Sequence, residues 1–98
     1  MAYFCYRLIG PRPGFPADMT AAEGAAMDLH AAYWAEQVAA GAAIAVGPVF
    51  APDGAFGLAV LVAEDEAIAA ALVAADPVLK AELGFGHRLD PMPSLLHR

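Results

Sequence analysis

The residue of this sequence best suited to chemistry is a histidine set inside a helical pattern. His30 falls in Asp28 to Phe50, DLHAAYWAEQVAAGAAIAVGPVF, which reads as the second half of a helix, a turn at Gly41 and a strand ending near Gly47-Pro48. An imidazole titrates at about pH 6.5 when unperturbed, so both of its protonation states are within reach at neutral pH, as general acid–base catalysis requires. The plainer alternative is a helix-border histidine that hydrogen-bonds a backbone carbonyl. Other chemistries find less support. His30, His87, His97 and Cys5 lack metal-ligand spacings such as Cys-x-x-Cys or His-x-x-x-His, so no metal is expected. The only serine, Ser94, lies in the C-terminal tail, outside any Gly-x-Ser-x-Gly motif. Gly10 to Gly14, GPRPG, is no phosphate loop, because its prolines remove the N–H donors that would cradle an anion. No cofactor motif appears, which narrows the expected chemistry to proton abstraction, elimination, isomerisation or hydrolysis.

The elements that must position His30 follow from periodicity and punctuation. Met27, Ala31, Trp34 and Val38 recur at spacings of four, three and four, one face of a helix. His30 falls about 60° to the side of that stripe, given roughly 100° of rotation per residue, which predicts a place at the edge of a packed face. Thr20-Ala21-Ala22-Glu23 has capping-box spacing and starts the helix; Gly41 ends it as a C′ residue. Before it, Ala2 to Ile9 is a strand with Phe4, Tyr6 and Leu8 on one face and Tyr3, Cys5, Arg7 and Ile9 on the other. A proline-stiffened loop, Gly10 to Pro16, joins the two. After it come a strand over 42–50, turn chemistry at Pro52-Asp53-Gly54 and a strand over 56–62, which form a hairpin. Glu64-Asp65-Glu66 opens a second helix with Ile68 and Leu72 as its apolar face beside Ala71 and Ala75. Asp76-Pro77 is the preferred N-cap and N1 pair and starts a short helix through Leu83. Gly84 to Asp90 is a last strand, and Pro91 to Arg98 a proline-broken tail.

The order β-α-β-β-α-β predicts an α+β, ferredoxin-like fold: a four-stranded antiparallel sheet with helices on one face, as one domain over 1–98. The bare face would carry apolar side chains from four strands, so a homodimer packed sheet to sheet is expected. Net charge is −6, and the five basic residues Arg7, Arg12, Lys80, Arg88 and Arg98 are scattered. That argues against nucleic acid or an anionic membrane as partner. The hydrophobic fraction is 60%, much of it alanine, yet no apolar run reaches the length of a membrane span. The start MAYFCYRLIG lacks a secretion-signal pattern, and a single cysteine, Cys5, suits a reducing cytoplasm.

Three landmarks in order, LHAAYWAEQVAAG, AVGPV and AADPVLKAELG, together with YFCYRLI and the closing strand, resemble the YciI-like (YCII-related) family from Tyr3 to Asp90. The resemblance implies a dimeric α+β barrel type of ferredoxin-like fold and an active-site pair of a helix histidine and the aspartate of Asp-Pro, here His30 and Asp76. Many members are described only as candidate enzymes, with elimination-type chemistry on small substrates suggested for them. On that reading Asp76 orients the ring and stabilises an imidazolium, a role compatible with capping because a carboxylate accepts about four hydrogen bonds. From the residues themselves, Trp34 and Tyr33 are candidates to line a pocket for a ring-shaped ligand, Gly47 and Pro48 to shape it, and Arg7, with Arg12, to clamp an anion. Each has a plainer role: core for Trp34, a bulge or strand end for Gly47-Pro48, surface or structural charge for the arginines. Tyr33 is expected to face away, toward an interface. Two departures stand out, Met27 where relatives often carry arginine and Glu82 where glycine is common; the first removes an anion-binding group. The expectation is a cofactor-independent lyase or isomerase for a small cyclic or carboxylated substrate. Its alternative is a non-catalytic ligand-binding or accessory dimeric module.

Overall fold

Alternation along the first strand decides which side of the sheet becomes the core. In the computed structural model, which describes residues 1–98, β1 (Ala2–Ile9) buries Phe4, Tyr6 and Leu8 and leaves Arg7 and Ile9 exposed. A long loop over residues 10–20 leads to α1 (Ala21–Ala40), and short links then lead on to β2 (Ala43–Ala51), β3 (Gly54–Ala63), α2 (Glu66–Ala74), α3 (Pro77–Lys80) and, after one further turn, β4 (Gly86–Met92). The four strands form one antiparallel sheet in the order β2-β3-β1-β4. This is the expected ferredoxin-like α+β arrangement. Directly opposed residues share a face, so Ala59 and Leu61, opposite Tyr6 and Phe4, join the core. Val62, Val60 and Leu58, opposite Tyr3, Cys5 and Arg7, are half-buried on the other side.

Local chemistry sets the ends of α1 as the sequence predicts. The Thr20 hydroxyl accepts from the Glu23 N–H at 3.2 Å, and the Glu23 carboxylate accepts from the Thr20 N–H at 2.9 Å, a complete capping box. At the far end Gly41 has φ of 82°, the left-handed conformation that a side chain would disfavour. The same conformation recurs at Glu82, with φ of 54°. A glycine suits that position for a backbone reason.

Three expectations are corrected. The buried residues of α1 are Glu23, Ala26, His30 and Trp34, so His30 sits within the packed face and not at its edge. Ala31 and Val38 are exposed on the monomer, and Met27 is half-buried. On α2 the buried pair is Ala69 and Val73, one residue round from the expected Ile68 and Leu72, and Ile68 is 49% exposed. Alanine at the contact lets α2 lie close to β3 and β1. Finally, β4 begins two residues later than expected and continues through Pro91 to Met92. Pro91 is tolerated there because β4 is an edge strand, as is β2, which carries Pro48. No helix is long and apolar enough to cross a membrane.

Candidate active site

Asp76 gathers the site. As the N-cap of α3, its Oδ1 accepts the Val78 N–H at 3.1 Å, while Pro77 fills the first helical turn, where a missing donor costs nothing. Its Oδ2 accepts from three side chains delivered by two other elements. The Tyr6 hydroxyl of β1 donates at 2.8 Å, His30 Nδ1 of α1 lies at 2.7 Å, and Trp34 Nε1 of α1 donates at 2.8 Å. His30 and Trp34 are four residues apart, hence one above the other on the same side of α1. Asp76 is completely buried and His30 is 9% exposed. An ionised carboxylate can only accept, so the Nδ1 that faces it carries a hydrogen.

Electrostatics agree with this geometry. Burial alone would raise the Asp76 carboxyl. The hydrogen bonds from His30, Trp34 and Tyr6 and the attraction of the imidazole outweigh it and hold the group below the usual carboxylate range. The Tyr6 phenol is pushed up by burial and by the adjacent Asp76 charge, so it remains a donor. No buried side-chain nitrogen or oxygen lacks a partner.

His30 opens onto a cavity of about 610 Å³, within the range of small-molecule sites. Along α1 its wall is Met27, Ala31, Trp34, Ala35 and Val38. The stripe read from the sequence as core therefore faces a hollow. Across from it stand Val46, Gly47, Pro48 and Phe50 of β2 and Phe56 to Ala59 of β3, with Tyr6 and Leu8 at the back. Phe15, Pro16 and Met19 of the β1–α1 loop close one end together with Phe85, and Phe15 and Phe85 meet edge to face at 5.1 Å. No lysine, arginine, aspartate or glutamate lines the cavity.

Of the residues singled out from sequence, His30, Asp76, Trp34, Gly47 and Pro48 meet at or beside this cavity. Trp34 is both core and hydrogen-bond donor. Arg7 is not brought there. It lies on the opposite face of the sheet, its guanidinium 5.3 Å from the centre of the Phe56 ring. Arg12 is occupied elsewhere, paired with Glu23 and Asp18. Tyr33 turns inward, donating to the Leu72 carbonyl at 2.6 Å and tying α1 to α2. Sequence reasoning missed the hydroxyl of Tyr6. Its signal was a tyrosine alternating with Phe4 and Leu8 on a buried face, since a buried phenol needs a partner. No group of three or more His, Cys, Asp or Glu side chains comes together around the pair.

A family model for the YCII-related domain matches residues 1–91. The chain belongs to the YCII-related family. No curated protein matches it in sequence. A solved structure similar to this YCII-related chain is 5-chloro-2-hydroxyhydroquinone dehydrochlorinase (TftG) from Burkholderia phenoliruptrix AC1100, in complex with 2,5-dihydroxybenzoquinone. Its TM-score is 0.58 with 22% sequence identity, over 92% of this chain and 91% of that chain. At that identity the likeness establishes a shared fold.

Proposed function

We propose that this YCII-related chain is a small enzyme in which His30 moves a proton on a ring-shaped molecule held in the cavity. The observation that carries this reading is the 2.7 Å contact between Nδ1 of His30, a residue that lines the cavity, and a fully buried Asp76. In an elimination, Nε2 takes a proton from carbon or oxygen of the substrate. The released electron pair forms a double bond, and the leaving group departs with its own pair. Asp76 supports the positive charge that develops on the ring. The fold shared with a dehydrochlorinase, an enzyme named for losing hydrogen chloride, supports elimination over hydrolysis. The cavity wall favours an uncharged ring over a carboxylated substrate, because no cation lines it to offset a carboxylate.

Replacing His30 by glutamine should lower turnover by about 10²–10⁴ with the fold retained by circular dichroism. Turnover at the wild-type level in that variant would exclude the reading. Binding without any reaction, and without a pH inflection in the wild type, would mark the chain as a ligand-binding module instead.

We further propose that the working unit is a homodimer closed through the helix-free sheet face. Val60, Leu58 and Val62 are half-buried there with no helix above them. Val60→Glu should shift the sedimentation coefficient from dimer to monomer, and an unchanged value would reject this interface. A reducing, cytoplasmic setting suits the unpaired Cys5 on the same face.

A further inference from the structure

The Asp76 cluster holds more than the pair that the proposed chemistry uses. A His–carboxylate pair alone places one strong donor on the carboxylate, and the anion then favours a charged imidazolium partner. Here Oδ2 is shared among three donors of nearly equal length, at 2.7 and twice 2.8 Å, and Oδ1 is held by the Val78 N–H. Tyr6 and Trp34 are neutral donors and both are 1% exposed, so neither exchanges its bond to Asp76 for one to water. Their dipoles do for the buried anion what water or a cation would otherwise do.

We infer that Tyr6 and Trp34 are positioning residues acting through Asp76: by donating to the oxygen that His30 uses, they spread its charge and weaken its pull on the Nδ1 hydrogen of the ring that lines the cavity. The inference rests on the proton-transfer reading for its effect on turnover, though not for its effect on the His30–Asp76 bond. The groups that face this cluster are few. From β1 comes Tyr6; from β4 comes His87, edge-on to Tyr6 with ring centres 6.4 Å apart; from α1 comes Tyr33, edge-on to Trp34 at 5.1 Å; and α3 supplies Asp76 itself. No lysine or arginine is hydrogen-bonded to Asp76, so the spreading falls to the two neutral donors.

The test is Tyr6→Phe in the full chain, which removes one oxygen and keeps the ring that packs against Trp34 with centres 5.4 Å apart. With one competitor gone, His30 should bind Asp76 more tightly, and its Nδ1–H proton resonance should move downfield of the wild-type position. In turnover, the acid limb of the kcat/KM profile should move to higher pH by about one unit. That is the tenfold change in proton affinity expected when a charged oxygen loses one hydrogen bond. Trp34→Phe should move both readouts in the same direction and carries the test if Tyr6→Phe does not fold. A residue of merely structural importance would lower stability and move neither. An unmoved resonance in a folded variant overturns the inference. If the resonance moves while the wild type catalyses nothing, the charge-spreading stands and the enzymatic reading falls.

Discussion

Glu23 and Asp76 are both buried carboxylates held below the ordinary range, yet they end in different things. Glu23 accepts two hydrogen bonds from Arg12, at 2.7 and 2.6 Å, and one from the Thr20 N–H. Arg12 in turn reaches Asp18, through Nε to the carboxylate at 2.9 Å and through a second nitrogen to the backbone carbonyl at 2.7 Å. Every member is spoken for by another member, and the set pins the β1–α1 loop to the start of α1. The Asp76 set is as fully hydrogen-bonded at the carboxylate, but one of its members, His30, uses one ring nitrogen there and also lines a cavity. Burial and a depressed carboxyl therefore do not mark a site by themselves. What sets the Asp76 cluster apart is a histidine that also lines a hollow.

Breaking each cluster should expose that difference. The largest effect is expected from Asp76→Ala, which strands three buried donors and removes the α3 cap. Each buried donor left without a partner costs about 1–3 kcal/mol, so three of them amount to a large share of the roughly 5–15 kcal/mol that stabilises a domain. Urea unfolding would show it, and Asp76→Asn, which keeps the shape, should cost clearly less. A smaller, pH-dependent effect is expected from Glu23→Gln. The hydrogen bonds from Arg12 and Thr20 hold the Glu23 carboxyl at about 2, against an ordinary value of 4.5. Between those values the unfolded chain binds the proton more readily, so wild-type stability contributed by Glu23 is present above the upper value and drains away as pH falls. Glutamine has no such proton to gain. The gap between wild type and variant in denaturation midpoint should accordingly narrow from pH 6 to pH 3, and a constant gap would contradict the assigned pairing. The smallest effect is a gain. Glu82→Gly relieves a left-handed residue worth about 1–2 kcal/mol, less the 0.5–1 kcal/mol of chain entropy that glycine adds to the unfolded state, and should raise Tm slightly.

Punctuation was legible in the sequence and rotation was not. Thr20, Glu23, Gly41 and Asp76-Pro77 act through their own backbone neighbours, so their effects can be read within a few residues. Which side of α1 faces inward depends on partners far along the chain. In AAMDLHAAYWAEQVAA an alanine is available at most phases, so several rotations give an acceptable apolar face. What selects among them is the pull of Asp76, forty-six positions beyond His30, on two donors of α1 at once. The cavity was hidden for a related reason: Met27, Ala31 and Val38 have the composition of a core and the position of a lining. The pairing of His30 with Asp76 came from a likeness of ordered motifs, since no spacing rule links residues so distant. Arg7 shows the opposite failure, a suitable charge on the wrong side of a strand.

The two margins of the sheet share a further property. Both outermost strands contain an imino acid, Pro48 in β2 and Pro91 in β4, so each rim is missing an N–H that a neighbouring chain would need for unbroken pairing. Growth by adding strand after strand is thereby interrupted on the left and on the right, where an alanine-rich polypeptide with two long open rims would otherwise be a natural seed for fibrils.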